Sequence, residues 1–293
     1  MRSIRLAALA VAVIPLLAFA QQDFSKVEIK ATALRGGTHM LTGAGGNIVA
    51  SAGSDGVFII DDQFAPLSLK IRAAVRKLSD KPLRFVVNTH WHGDHTGGNE
   101  DMGKAGAVIV AHDNVRKRMS VGQLLRGQKV PAAPSAALPV VTFTQDLALH
   151  LNGDSVRVQH VAHAHTDGDA LVKFERANVL HMGDVYFNGL YPFIDAESGG
   201  SIGGLLTAIG SGLALSDATT IVVPGHGPVS NRKELAAYGV MLKGHRDRIA
   251  ALKAQGKSLA QVIAAKPTAS TDEALGKAFI KPDELVTSIY NTL

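Results

Sequence analysis

The sequence has 293 residues, a formal net charge of +5 and no cysteine. Without cysteine the chain has no disulfide framework, no thiolate zinc site and no cysteine nucleophile, so any metal must be held by His, Asp or Glu. Its 46% hydrophobic and 19% charged residues are typical of a packed protein, and the scattered Lys and Arg residues form no basic block of the kind that binds nucleic acid.

The N terminus is typical of a secretory signal peptide. Arg2 and Arg5 give a positive start, and residues 6–18 that follow are mainly apolar. Residues 18–20 then form the small-x-small pattern that signal peptidase cleaves. The apolar stretch is short for a bilayer span, which favours a cleaved signal over an anchor helix. We therefore predict that residues 1–20 are a signal peptide and that the mature protein is periplasmic or secreted, without a stable membrane anchor.

The next part of the chain predicts an α/β arrangement. Residues 27–64 indicate a meander of β-hairpins, because glycines punctuate short apolar runs. Residues 67–78 carry apolar side chains at helical spacing, and residues 83–88 are typical of a buried strand. Ligand sites in α/β folds favour the carboxyl ends of strands, so the loop after Asn88 is in a favourable place.

The second half repeats the alternation of strands and helices. Apolar runs predict strands at residues 108–110, 147–151, 156–161, 170–174, 179–182 and 221–223, and helices at residues 113–119, 202–215 and 233–255. Residues 123–139 contain Gly127 and three prolines, and predict a loop with little regular structure that overhangs a site. We expect one domain over residues 21–293, with two related β-rich halves flanked by helices and a helical tail at residues 257–293.

One short segment concentrates the chemistry. Residues 88–99 hold His90, His92, Asp94 and His95, which are three histidines and one carboxylate in six positions. In a tight loop after a strand, the first two can point one way and the last two another, whereas a helix would scatter them. This geometry suits two metal ions a short distance apart, and imidazole and carboxylate are both suitable zinc ligands. The cluster therefore favours a metal site over a polar surface loop.

The string H-x-H-x-D-H after an apolar strand resembles the signature of the metallo-β-lactamase superfamily. The resemblance continues in chain order across the mature sequence. It includes His165 in a string similar to the family's G-H-T-x-G-D, Asp184 in the place of a bridging aspartate, and His226 in the place of the family's last histidine. Asp62, which follows the run at residues 57–61, resembles a family aspartate that supports the metal loop from outside.

This resemblance implies two zinc ions per chain in an α/β fold, namely a four-layer αββα sandwich with the metals in a cleft at one edge. The implied ligands of the first zinc ion are His90, His92 and His165. Those of the second are Asp94, His95 and His226, and Asp184 would bridge the two ions.

A mechanism follows from the charge of such a site. Two divalent ions would lower the pKa of a shared water toward neutrality, and the resulting hydroxide would attack a carbonyl carbon or a phosphorus. One ion would polarise the oxygen that gains charge, and the other would hold the leaving group. We expect Asp94 both to bind its metal and to orient the hydroxide, which makes it the candidate catalytic residue.

Several residues outside the ligand set also stand out. The densest aromatic cluster follows Asp184 and comprises Tyr186, Phe187, Asn188, Tyr191 and Phe193. It predicts either core packing or the walls of the cleft. We interpret His163 as a solvated residue and His181 as a core residue or a support for a ligand. Trp91, between two proposed ligands, is interpreted as a packing residue beneath the metal loop.

The superfamily hosts many reactions, so the fold does not choose the substrate. A β-lactam-type or lactone-type substrate suits a secreted bacterial hydrolase that opens an amide or ester bond. Two departures count against a standard β-lactamase. The chain lacks the cysteine that binds the second metal in the best-known class, and Phe187 stands where those enzymes carry a lysine that grips the drug's carboxylate. We therefore predict a zinc-dependent hydrolase of a small molecule, and the sequence does not choose between a β-lactam-type and a lactone-type substrate.

Other functions stay open. Glyoxalase II, a thioester hydrolase, shares the metal string and the bridging aspartate, but its glutathione-binding tail has no match here. Residues 163–200 look most like secreted metallohydrolases linked to quinoprotein systems. The alternative from another class is a metal-binding accessory protein of such a system, or an iron-dependent redox or sulfur-handling enzyme. The full hydrolase ligand set disfavours iron, the signal peptide disfavours an RNA-processing role, and the sequence gives no indication of oligomeric state.

Overall fold

The structure is a computed structural model that describes residues 23–293, so the predicted signal peptide lies outside the described residues. Its strands, in chain order, are β1 (Lys30–Ala33), β2 (Thr38–Thr42), β3 (Ile48–Gly53), β4 (Gly56–Ile60), β5 (Leu83–Val87), β6 (Val108–His112), β7 (Gln123–Leu125), β8 (Gln128–Val130), β9 (Val141–Phe143), β10 (Asp146–Leu151), β11 (Asp154–His160), β12 (Ala170–Phe174), β13 (Val179–His181), β14 (Ile221–Val223) and β15 (Ser230–Asn231). Its α-helices are α1 (Ser68–Leu78), α2 (Gly93–Thr96), α3 (Asn99–Lys104), α4 (Asp113–Met119), α5 (Ile202–Ala214), α6 (Arg232–Ala254), α7 (Leu259–Ala264), α8 (Ala269–Leu275) and α9 (Pro282–Asn291).

The strands form two large sheets. The first has the order β1-β2-β3-β4-β5-β6-β9, and the second has the order β10-β11-β12-β13-β14-β15. In the first sheet β4, β5, β6 and β9 are parallel neighbours, and in the second sheet β13 and β14 are parallel. Parallel neighbours end at the same edge of a sheet, so the loops that follow them lie close together.

The two sheets pack face to face through a shared apolar core. The ring of Phe58 on β4 stacks on that of Phe174 on β12, with centroids 5.7 Å apart. Val87 and Val110 of the first sheet belong to the same buried cluster as Val172 of the second. Apolar side chains on the inner faces of both sheets are therefore removed from water together, and this burial holds the halves of the domain to each other.

Helices cover the outer face of each sheet. Ile71 and Val75 of α1 pack with the outward side chain of Val86 on β5. On the other side, Leu205 of α5 and Leu242 of α6 lie in one buried cluster with residues of β12, β13 and β14. The order helix, sheet, sheet, helix is the predicted αββα sandwich, and that prediction is confirmed.

The long helices begin where the sequence places N-capping residues. The side chain of Ser201 accepts a hydrogen bond from the backbone of Gly204 at the start of α5, and Asn231 does the same for Glu234 at the start of α6. Both helices agree with the predicted ranges to within about one residue, as is usual for helix ends. Among the described residues, no helix combines the length and the apolar character needed to cross a membrane.

Two local predictions were wrong. Residues 123–139 were expected to have little regular structure, but they contain the hairpin of β7 and β8 and a short 3₁₀ helix, Ser135–Ala137. The hairpin turns at Arg126 and Gly127, both with positive φ. Such a turn twists with the strands, but an arginine gives it little sequence signal. Asp94 and His95 were expected in a loop, but they lie in the one-turn helix α2.

Candidate metal centre

All seven predicted ligands meet at one edge of the sandwich. His90 and His92 lie in the loop after β5, Asp94 and His95 lie in α2, His165 lies between β11 and β12, Asp184 lies in a 3₁₀ turn after β13, and His226 follows β14. Backbone hydrogen bonds join the two sheets at this edge. The N–H of Ala170 donates to the carbonyl of Thr89, and the N–H of Asn47 donates to that of Gly225.

The ligand atoms form two facing groups. The first comprises His90, His92, His165 and Asp184, and the second comprises Asp94, His95 and His226. Within each group one donor atom per residue lies within 4.8 Å of the others. Asp184 also reaches the second group, because its Oδ1 is 3.1 Å from His95 Nε2 and its Oδ2 is 3.4 Å from His226 Nε2. Its carboxylate therefore lies between the two groups, where the resemblance implies a bridging ligand.

Asp61 orients His95 from outside the centre. Its Oδ2 lies 2.7 Å from His95 Nδ1, and its carboxylate also accepts hydrogen bonds from the backbone and the hydroxyl of Thr89. The carboxylate places the proton of His95 on Nδ1 and leaves Nε2 free to face the centre.

Asp61 makes these contacts with His95 and Thr89, and Asp62 contacts the metal loop at a separate point. Asp61 has a φ of +62°, which ends the alternation of β4 and turns this side chain toward the metal loop. Asp62 supports the loop elsewhere, where its Oδ1 accepts a hydrogen bond from the N–H of Gly98 at 2.9 Å. Burial raises the pKa of Asp62 well above its usual range.

Asp195 orients His92 and was missed by sequence reasoning. Its Oδ2 lies 2.9 Å from His92 Nε2, which leaves Nδ1 to face the centre. His165 is held in a similar way, because its Nδ1 lies 2.7 Å from the carbonyl oxygen of Phe193. Both supports come from residues 193–195, and the one signal in the sequence was a carboxylate next to the aromatic cluster.

The loop that carries His165 is fixed by two buried or half-buried acids. Arg118 on α4 forms a bidentate ion pair with Asp167, with both N–O distances at 2.7 Å. Asp169 accepts hydrogen bonds from the backbone and the hydroxyl of Thr166, while burial raises the pKa of Asp169 to about 8. These contacts fix the position from which His165 reaches the centre.

The donor atoms fit divalent cations. His90 Nε2 is buried and has no hydrogen-bond partner within residues 23–293. An unpaired buried polar atom costs about 1–3 kcal/mol, and a cation that accepts its lone pair removes that cost. Imidazole nitrogen and carboxylate oxygen are also the ordinary ligands of zinc in a site without cysteine.

Charges within the centre keep its carboxylates ionised. Burial alone would raise the pKa of Asp184, but His226 and His95 outweigh it and hold this pKa well below its usual range. Burial would also raise the pKa of Asp94, but His95 and His226 outweigh it and lower this pKa to about 2. Burial opposes charge on His226 as well, yet the carboxylate of Asp184 raises its pKa to about 9. A metal ion competes with such protons, so metal binding releases them.

The centre opens to solvent on the side of the second group. The side chains of Asp94 and His226 are 25% and 22% exposed, whereas the other five proposed ligands are buried. Gly46 lines this side, and a Cβ there would lie 2.1 Å from His95 Cε1. Only glycine leaves room for the imidazole, so the packing of the loop before β3 helps to set the position of His95.

The aromatic cluster divides between core and cleft. Tyr186 and Tyr191 are buried in the core beneath α5 and α6. Phe187 stacks on His226 with ring centroids 5.1 Å apart, and Phe193 stacks on His92 at 5.8 Å. Tyr186 and Tyr191 are thus core residues, whereas Phe187 and Phe193 form walls of the metal centre. Each of the two interpretations of the aromatic cluster holds for part of it.

The three remaining side chains take the places expected for them. Trp91 is buried beneath the loop and donates a hydrogen bond to Ser198 Oγ at 3.1 Å. His181 is buried, with Nε2 2.9 Å from the carbonyl oxygen of Asn47. His163 is exposed.

Comparisons with known sequences identify a family and a curated relative. The sequence family described as the metallo-beta-lactamase superfamily matches residues 40–236, which is more than half of the chain. The alpha subunit of the 2,4-dinitroanisole O-demethylase of Nocardioides sp. (strain JS1661) is 26% identical over 162 residues, which are 53% of this chain and 46% of that protein. The chain therefore matches less than half the length of this curated relative.

Solved structures show the same fold. A metallo-beta-lactamase from Pontibacter korlensis is 17% identical, with a TM-score of 0.61 over 74% of this chain and 99% of that chain. A stereoselective inverting sec-alkylsulfatase from Pseudomonas sp. is 16% identical, with a TM-score of 0.63 over 90% of this chain and 50% of that chain. At these identities the likeness concerns the fold alone.

Proposed function

The chain belongs to the metallo-beta-lactamase superfamily, and on this premise we propose that it is a hydrolase that holds two zinc ions and opens an amide or ester bond. The proposed substrate is a small molecule of the β-lactam or lactone type. The observation that supports this proposal best is the pair of facing donor groups with the carboxylate of Asp184 between them. In outline this is a metal-dependent, hydrolase-like centre.

The residues around the centre have separate tasks in this proposal. The first zinc ion would be held by His90, His92 and His165. The second would be held by Asp94, His95 and His226, and Asp184 would bind both ions. Bound zinc supplies Lewis acidity and lowers the pKa of water toward neutrality. Asp94, which is ionised and partly exposed, accepts a hydrogen bond from the attacking water and so orients it. Phe187 and Phe193 shield the imidazoles that they cover from solvent.

Metal content and hydrolysis test the proposal together. We expect about two zinc ions per purified chain, as in other two-metal hydrolases. A panel of nitrocefin, lactones, thioesters, phosphodiesters and sulfate esters should show its fastest hydrolysis among the lactones or nitrocefin. Zinc at a thousand times its Kd should raise the free energy of unfolding by about 4 kcal/mol. This increase should be lost in His165→Ala and kept in His150→Ala, since His150 is exposed on β10.

The alternatives predict different results in the same experiments. Fastest turnover of thioesters would support a glyoxalase II-like hydrolase. One iron per chain with oxygen uptake would replace the proposal by the iron-dependent redox or sulfur-handling function. Zinc binding without hydrolysis of any compound in the panel would favour an accessory role in a quinoprotein system.

We also propose that the protein is periplasmic or secreted. The support is the charged, apolar and small-residue pattern of residues 1–20. Expression of the full chain in a Gram-negative host, followed by N-terminal sequencing of the periplasmic protein, is expected to give a chain that starts at Gln21. A full-length chain that stays with the membrane fraction would instead indicate an uncleaved anchor.

A further inference from the structure

A cavity of about 470 Å³ lies next to the metal centre. Its wall includes Phe193 and Ile194, together with Ile280 just before α9 and Ser288 within α9. Arg126, at the tip of the hairpin of β7 and β8, also lines it. This volume is within the range of sites for small organic ligands.

One segment connects the cavity with the proposed ligands. The ring of Phe193 packs against the imidazoles of His92 and His165, with centroids 5.8 and 5.6 Å away, and the same residue lines the cavity. Asp195 also lines the cavity and holds His92 by its hydrogen bond. Phe193 and Asp195 therefore form a wall that the cavity shares with the first donor group.

Arg126 is already engaged within the protein. Its guanidinium lies 4.7 Å from the ring centroid of Phe279 and 5.8 Å from that of Phe193, and it forms an ion pair with Glu284. These contacts hold the hairpin of β7 and β8 against the helical tail. Within residues 23–293, Arg126 is the one cationic side chain that lines the cavity, and the ion pair with Glu284 offsets its charge.

The remaining charge of the cavity is negative. Glu197 and Asp283 line it with exposed carboxylates that form no ion pair within residues 23–293. Asp195 adds a third carboxylate to the lining, and one of its oxygens, Oδ2, faces His92 Nε2 at 2.9 Å. Apolar walls with this sign of charge favour an apolar group that carries a cation, and they disfavour a carboxylate.

We propose that this cavity is the subsite for the non-reacting part of the substrate and that it takes an apolar chain ending in an ammonium group. The proposal rests on the proposed hydrolase function and narrows the class of substrate. Within that function, it favours amine-bearing esters or lactones over β-lactams, which carry a carboxylate.

Four chromogenic esters test the preference on the zinc-loaded full chain. They are the p-nitrophenyl esters of acetic, 5-phenylpentanoic and 6-ammoniohexanoic acids and the p-nitrophenyl monoester of adipic acid. Acetate is too short to enter the subsite and reports on the centre alone. We expect kcat/KM for the ammonium ester to exceed that for the adipate monoester by about tenfold, a size consistent with a few exposed charges. The neutral phenyl ester should lie between them.

Two kinds of variant separate the subsite from the centre. Ser288→Trp fills the cavity and should lower kcat/KM for the ammonium and phenyl esters about tenfold, mainly through KM, with acetate unchanged. Ser270→Trp is the matched control, because Ser270 lines a separate cavity of about 540 Å³ in the helical tail. Glu197→Gln combined with Asp283→Asn leaves the shape unchanged and should bring the rates of the ammonium and adipate esters together.

The outcomes distinguish this inference from the proposed function. Hydrolysis of all four esters with no charge preference, or an equal effect of the two Trp variants, would overturn the subsite alone. If no ester is hydrolysed, the proposed function fails for esters, and calorimetry with 4-phenylbutylamine still tests the subsite. Binding that weakens about tenfold in Ser288→Trp and not in Ser270→Trp supports it. Unchanged binding in both variants, or tighter binding of 4-phenylbutyrate, would reject it.

Discussion

Asp94→Ala is expected to lower kcat for the best substrate by about a thousandfold and to leave the fold intact. Asp94 is the most exposed of the proposed ligands, so its removal leaves no buried cavity. His95 and His226, against the effect of burial, lower its pKa to about 2 and keep it ionised at neutral pH. The variant loses both a metal ligand and the acceptor that orients the attacking water. Steady-state kinetics and thermal unfolding at saturating zinc measure the two effects separately.

A second substitution separates ligation from orientation. Asp94→Asn keeps an oxygen that can bind zinc but removes the charge that attracts the proton of the water. We expect it to bind more zinc than Asp94→Ala while kcat stays low. Asp80→Ala is the control, because Asp80 is an exposed aspartate in the turn between α1 and β5. If Asp94→Ala turned over substrate like the Asp80 control at full zinc content, Asp94 would have no catalytic role.

The outline of the fold could be predicted because buried strands and amphipathic helices leave strong local patterns. The run that forms β4 is apolar beyond its first glycine, and all five of its residues are buried. One face of the strand packs against α1 and the other against the second sheet. The stripe in α1 places Ile71 and Val75 on one face, where they meet the outer side of the first sheet. Such signals depend on neighbours within a few residues, so one sequence is enough to find them.

The ligands could also be proposed, since their residue types are unusual and their order resembles a known family. The residues that orient these ligands could not. Asp61 is 28 residues before Thr89, and Asp195 is 103 residues after His92. Asp61 meets Thr89 because β4 and β5 are parallel neighbours in the first sheet. Asp195 reaches His92 through the packing of the two sheets and the path of the loop after β13. An aspartate on its own gives no local pattern that distinguishes such a role from a solvated one.

The hairpin of β7 and β8 was missed for a related reason. Each strand has three residues, which is too short to establish an alternating pattern, and the flanking prolines indicate a loop. An isolated two-stranded hairpin is marginally stable in water. Here Arg126 fastens it to Phe279 and Glu284, which lie more than a hundred residues further along the chain. The hairpin is therefore stabilised by tertiary contacts, which the sequence alone does not show.

Asp61→Asn is expected to weaken zinc binding about 10- to 100-fold, although Asp61 binds no metal itself. The carboxylate accepts three hydrogen bonds, one from His95 and two from Thr89. An amide offers one oxygen and turns its N–H groups toward at least one of these donors, so the proton on His95 Nδ1 loses its acceptor or Thr89 is displaced. The unpaired donor should also lower the free energy of unfolding by about 1–3 kcal/mol. Chelator competition and urea unfolding measure the two quantities.

The choice of asparagine and of the control makes this result interpretable. Asp61 has a φ of +62°, a region that asparagine tolerates and alanine does not, so backbone strain adds little to the effect. Asp62→Asn is the matched control, because Asp62 is equally buried and next in the chain but contacts Gly98 instead of a ligand. Burial also raises the pKa of Asp62 well above its usual range. Equal loss of zinc affinity in both variants would mean that the orientation of His95 is not what Asp61 contributes.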